Sequence, residues 1–151
     1  MKLHLACGNK KLDGFVNIDY HKTEAVDLVA DIRDLDYSTG SAEEIVMLQT
    51  LHFFTYDEIE VLLRKFHKWL APQGTMIISL PNLNVIFFLF VWRRFCLTRE
   101  FSEDIMGKTY IHRSIFNKKS FIKLLKKHGF EATVVMPQGH WTMMQFEIRK
   151  I

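Results

Sequence analysis

Three short apolar runs open the chain, and each stops on a residue that ends a strand. Leu3-His4-Leu5-Ala6-Cys7 halts at Gly8-Asn9. Val16-Asn17-Ile18-Asp19-Tyr20 alternates apolar with polar and closes on an acid, and Val26-Asp27-Leu28-Val29-Ala30-Asp31 does nearly the same. Runs of this length bounded by turn residues read as strands. Only 10 residues separate Gly8 from Asp19, which leaves no room for a long helix between the first two strands. A dinucleotide-binding half needs that helix together with G-x-G-x-x-G, and Gly8-Asn9-Lys10-Lys11 is not that pattern. The phosphate-loop pattern G-x-x-x-x-G-K-S/T is absent as well.

Residues 44–49 form a fourth strand candidate. The stretch 56–70 that follows is helical by its spacing: Ile59, Leu62, Leu63, Phe66, Trp69 and Leu70 recur at intervals of three and four, opposite Glu58, Lys65 and Lys68. Ala71-Pro72-Gln73-Gly74 reads as the turn that ends it, before a fully buried strand over 75–80. A second helix is expected over 120–128, with Phe116-Asn117 offering a cap and Gly129 a stop. The tail holds two more strands, 131–136 and 141–150, parted by Pro137-Gln138-Gly139 and therefore read as an antiparallel pair. Interleaved strands and helices with a closing hairpin define an α/β, Rossmann-like sheet, mostly parallel with an antiparallel C-terminal edge strand. No repeat, low-complexity tract or linker divides the chain, so residues 1–151 are read as a single domain.

Composition excludes several classes. With 151 residues at 48% hydrophobic content the chain suits one core, and its 13 Phe point to a core or cleft lined by rings. The net charge of +3, from 20 basic and 17 acidic residues, is too balanced to drive nucleic-acid binding, and none is expected. Cys7 and Cys96 stand far apart with no ligand-spaced His, so neither a disulfide framework nor a metal site is indicated. The N-terminus lacks the long apolar segment of a signal peptide, which makes the cytoplasm the default location. The run Val85 to Trp92 is less than half the length of about 20 residues that a bilayer span requires. For Leu83 to Trp92, with Arg93-Arg94 behind it, a substrate lid or core helix is the plainest reading; a dimer face and a peripheral membrane contact are the others.

In an open parallel sheet the strand C-termini converge on one crevice, where ligands bind. Gly8, Asp19 and Asp31 meet there on this layout. Glycine admits a ligand close to the backbone, Asp19 can accept from ribose hydroxyls, and Asp31 from an adenine amino group. Each residue alone is an ordinary turn former or cap; their convergence fits a nucleoside-like ligand.

The residues 3–9, followed by Leu12-Asp13-Gly14-Phe15-Val16-Asn17-Ile18-Asp19, resemble the opening of a group of small class I S-adenosylmethionine-dependent methyltransferases, those of methyltransferase type 11 and its relatives, whose pattern is near L-x-L-G-C-G, a short loop, then G-W-x-N-x-D. The likeness continues through 26–35, through 41–45, through Leu70-Ala71-Pro72-Gln73-Gly74, and into the late helix ending in Gly129-Phe130. It implies S-adenosylmethionine as cofactor, with Ala6 and Gly8 in the loop on the methionine side, Asp19 at the ribose, Tyr20 as a further cofactor contact, Asp31 and the Ile32 amide at the adenine, and Leu48 and Gln49 as pocket walls. The implied activity is methyl transfer to a small-molecule or saccharide acceptor, since members of the group accompany polysaccharide assembly. Two departures stand out. Ala6 occupies a usual Gly position, and 48–54 replaces a pattern near S-H-x-L-E-H-F, so that Gln49, His52 and Phe53 stand for His, Glu and His. A degenerate, non-catalytic binding protein is therefore the alternative. For a hydroxyl or amine acceptor His112 is the first candidate base and His52 the second, because an imidazole with a pKa of about 6.5 suits proton removal at neutral pH.

Overall fold

The computed structural model describes residues 1–82, 84–85, 113–135 and 143–151. Seven strands form one sheet in the order β3-β2-β1-β4-β5-β7-β6. They are β1 (Lys2–Leu5), β2 (Val16–Asp19), β3 (Leu28–Val29), β4 (Ala42–Leu48), β5 (Leu70–Pro81), β6 (Phe130–Val135) and β7 (Met143–Lys150). β1 to β5 pair in parallel, and β7 runs antiparallel to both its neighbours. The α/β sheet with its reversed C-terminal strand matches the sequence-based expectation; in detail, β7 inserts between β5 and β6, and β6 takes the edge. Among the described residues no helix is long and apolar enough to cross a membrane.

Helix α1 (Tyr56–Trp69) starts at Thr55. The Thr55 hydroxyl accepts from the Glu58 amide while the Glu58 carboxylate accepts from the Thr55 amide, a reciprocal cap that satisfies two N-terminal donors. Its expected stripe is the observed one: Ile59, Leu62, Leu63, Phe66 and Trp69 are all buried. Helix α2 (Lys118–Lys127) repeats the device with Asn117 and Ser120, buries Phe121 and Leu125, and is followed by Gly129 at φ +78°. The Lys127–Glu60 ion pair, 2.6 Å, joins α2 to α1, so both helices cover the same face of the sheet. A chain of edge-to-face rings runs from the half-exposed Tyr56 of α1 through Phe116 and then Phe121 of α2 to Phe146 of β7, with centroids 4.8 to 5.3 Å apart. Among the described residues Phe66, Phe116, Phe121, Phe130 and Phe146 are buried in the core.

One expected turn is part of a strand. Leu70 already pairs with Ala42, so β5 begins where α1 ends, and the register shifts between Ala42 and Glu44 to absorb the irregular Ala71-Pro72-Gln73 segment. The strand expected over 26–31 is in turn only two residues long.

Gly74 sits where the chain recrosses itself. A Cβ there would stand 3.1 Å from both the Ala42 carbonyl oxygen and the Ala71 nitrogen, and 2.9 Å from a Leu70 methyl carbon. The side chain can move; the Ala42 carbonyl belongs to a residue paired with Leu70, and both close atoms are backbone, so they give way less easily. Gly74→Ala should therefore destabilise the fold by about 1–3 kcal/mol, read as a lower urea midpoint at unchanged slope. An unchanged midpoint would show that the β4–β5 irregularity yields freely.

Candidate active site

The parallel strands deliver their C-terminal ends to one edge of the sheet, and a cavity of about 500 Å³ opens there. Ala6, Gly8, Asp19, Tyr20, Asp31 and Ile32 all line it. Its size lies in the range usual for small-molecule sites.

The first wall is the β1–β2 loop. Ala6 and Gly8 both take left-handed φ, 52° and 57°. Nothing lies within 4 Å of a Cβ placed on Gly8, so conformation and not space calls for glycine there. Ala6 bears the cost that Gly avoids. The Gly8 amide donates to Asp19 Oδ2 and the His21 amide to Asp19 Oδ1, each at 2.8 Å, which fixes the carboxylate and leaves a lone pair on each oxygen. The loop's return path hangs on Asn17, which is fully buried. Its Oδ1 accepts from the Leu12 amide and from His4 Nδ1, and its Nδ2 donates to the Leu12 and Phe15 carbonyls and to Asp27 Oδ2. Because Asn17 Oδ1 is an acceptor only, the His4 proton sits on Nδ1. Lys11 and Asn17 together hold the Asp27 carboxyl well below the usual carboxylate range. The sequence reading gave Asn17 and Asp27 no role, although Asn17 is the N of the G-W-x-N-x-D pattern.

The second wall is a charged network. Asp31 is held by Arg33 on both oxygens, with Nη2 to Oδ2 at 2.6 Å, Nε to Oδ1 at 3.0 Å and the Arg33 amide to Oδ1 at 2.8 Å. Arg33 Nη1 reaches Glu58 Oε1 at 3.1 Å, while Oε2 of the same Glu58 caps α1. The guanidinium lowers the Asp31 pKa; the Thr55 amide, then Arg33, lowers that of Glu58. Asp31 was expected as a plain acceptor, and its carboxylate instead carries this bidentate partner.

The third wall follows β4. Gln49 turns the chain at φ 53°, its amide bonded to Ser79, and a single 3-10 turn (Leu51–Phe53) comes next. Residues three apart share a face in such a turn, so Thr50 and Phe53, with Phe54, line the cavity while Leu51 and His52 turn into the core. Leu48, Gln49 and His52 are accordingly not among the lining residues. The His52 carbonyl accepts from the amides of Arg113 and Ser114 at 2.9 and 3.2 Å, which brings Arg113 to the cavity wall. His112 and most of the Val85–Trp92 run lie outside the described residues.

Residues 9–135 match the family model described as Methyltransferase domain. No curated protein matches the chain in sequence. Solved structures similar in fold include the PH0226 protein from Pyrococcus horikoshii, with TM-score 0.69 and 14% identity over 99% of this chain and 81% of that one. The Thermotoga maritima SAM-dependent methyltransferase described as a possible histamine N-methyltransferase gives 0.68 and 13%, over 99% and 82%. A third is the Burkholderia thailandensis 1,6-didemethyltoxoflavin-N1-methyltransferase, solved with its substrate and S-adenosylhomocysteine, at 0.60 and 15%, over 90% and 60%. The chain belongs to the methyltransferase-domain family, and its fold is that of the class I S-adenosylmethionine-dependent enzymes.

The Asn17 cluster makes the site's support sensitive to acid. Burial lowers the pKa of His4, and also those of His67 and His128. The unfolded chain then takes up protons at a higher pH than the folded one, so stability is lost as pH falls below the unfolded value of about 6.5. The urea midpoint should drop between about pH 7.5 and about pH 5.5, a window in which the paired carboxylates stay ionised in both states. His4→Gln should shrink the drop; an equal drop in that variant would place the effect on the other two histidines.

Proposed function

We propose that this single domain, residues 1–151, transfers a methyl group from S-adenosylmethionine to a small-molecule or saccharide acceptor in the cytoplasm. The observation that carries the reading is Asp19: a carboxylate fixed by two backbone amides at the end of β2, on the cavity wall, with a free lone pair on each oxygen. A ribose diol donates two hydrogen bonds and suits that arrangement. Gly8, where no side chain would fill the space, leaves the methionine side open, and Ala6 and Ala30 keep the neighbouring walls shallow. Tyr20 offers a ring beside Asp19, and the Ile32 backbone and Asp31 lie where an adenine edge would meet the end of β3.

When bound, the cofactor supplies an electrophilic methyl group on a sulfonium. What the chain adds is position and dryness: Asp19 and the β1 loop orient, and the rings of Phe53 and Phe54 give the wall near the acceptor end an apolar surface. The cavity is the size of a small-molecule site, and the balanced charge offers no track for nucleic acid. The named acceptor of the Burkholderia neighbour is likewise a small molecule.

Calorimetric titration with S-adenosylmethionine and S-adenosylhomocysteine tests the reading. Micromolar binding is expected, and Asp19→Ala should weaken it by about tenfold or more, with circular dichroism confirming that the variant is folded. A folded wild-type protein that binds neither compound would favour the degenerate, non-catalytic alternative.

A further inference from the structure

We propose that Arg113 anchors the methyl acceptor, and that the acceptor therefore carries an anionic oxygen group, a carboxylate or a phosphate, beside an apolar moiety. The inference rests on the methyltransferase reading and adds the substrate class. The charged side chains on the cavity wall are Asp19, Asp31, Glu58, Arg33 and Arg113. All three nitrogens of the Arg33 guanidinium already donate to Asp31 or Glu58. Asp19 is engaged by the amides of Gly8 and His21. Among the described residues the Arg113 guanidinium has neither an ion-pair partner nor a side-chain hydrogen bond, although its backbone is pinned by the His52 carbonyl at 2.9 Å. An exposed guanidinium on a cavity wall, with its backbone pinned and no side-chain partner among the described residues, is a ready bidentate donor for carboxylate or phosphate.

Its place in the sheet argues for the acceptor end. Ribose and adenine are assigned to the ends of β2 and β3, the methionine side to the end of β1, and β4 lies on the other flank of β1. Arg113 is tied to the turn that follows β4, whose Phe53 and Phe54 share the wall with it. Cation and rings together fit an acceptor that is anionic at one point and apolar next to it.

The probes are benzoate, phenyl phosphate and neutral benzamide, titrated by NMR into protein saturated with S-adenosylhomocysteine. The anions should bind about tenfold tighter than benzamide, and Arg113→Gln should remove that preference while changing S-adenosylhomocysteine affinity less than about twofold. Arg113→Lys should keep part of it, and the stronger of the two anions tells a carboxylate acceptor from a phosphate one. Three results overturn the proposal: no binding of either anion at millimolar concentration, an anion preference that survives in Arg113→Gln, or a loss of S-adenosylhomocysteine affinity in that variant, which would assign Arg113 to the cofactor's own carboxylate. If the wild type binds no S-adenosylhomocysteine, the same titration on the protein alone separates the two ideas: Arg113-dependent anion preference keeps the anion site and removes the cofactor reading.

Discussion

The carboxamide of Asn17 holds together the part of the sheet that has least to hold it. β2 has four residues and β3 two, so their ladders supply few hydrogen bonds, and the β1–β2 connection is a short loop. Helices elsewhere cover strands with apolar stripes; here a buried amide takes that role with every polar atom satisfied. Its oxygen accepts from a backbone amide and an imidazole, its nitrogen gives to carbonyls on both sides of the loop and to Asp27, and Asp27 in turn accepts from the Asn17 backbone and from Lys11. A network this complete specifies one geometry, because any partial version would bury unpaired dipoles at about 1–3 kcal/mol each. Asp19, two residues on along the same strand, inherits that precision.

The site also concentrates backbone strain. β1 and β4 are neighbours, and the residue after each, Ala6 at φ 52° and Gln49 at φ 53°, is left-handed without being glycine. For residues with a Cβ this conformation costs about 1–2 kcal/mol. The core that over-determines it is directly beneath: Leu5 and Met47 are fully buried and paired in register. Strain tolerated at two adjacent strand ends, both pointing at one cavity, marks the edge where the chain turns away to leave room for a ligand.

Local pattern made much of this legible, and its failures are local too. The α1 stripe and the stop at Gly129 follow from spacing because each depends on residues a few positions apart, and the meeting of Gly8, Asp19 and Asp31 follows because each ends a short strand run and a parallel sheet brings those ends together. The Pro-Gly pair after Trp69 reads as a turn by the same logic, yet Leu70 finds Ala42 as a ladder partner and the segment becomes an irregular strand; a tertiary pairing overrides the local preference. His52 is only the second candidate base on sequence, and the 3-10 turn, which no local pattern announces, buries it and brings Thr50 and Phe53 to the cavity instead. Arg33 and Glu58 are 25 positions apart, and nothing short of the folded chain shows that they share Asp31's corner.

If adenine sits at the end of β3, as proposed, that corner sets how selective its recognition can be. A carboxylate has roughly four lone-pair sites. On Asp31 the Arg33 amide, Nε and Nη2 already occupy most of them, and Arg33 is half exposed, so water screens the pair and its worth to stability is small. The network acts instead as a shaped partition: Glu58 fastens it to the start of α1, Asp31 fastens it to the end of β3, and the planar guanidinium between them faces the cavity as a wall. A base arriving there meets a carboxylate with little capacity left for a new donor. On that proposed placement the Ile32 backbone and Arg33, which also line the cavity, would supply what a free acid would have supplied, shifting recognition from hydrogen-bond count toward fit.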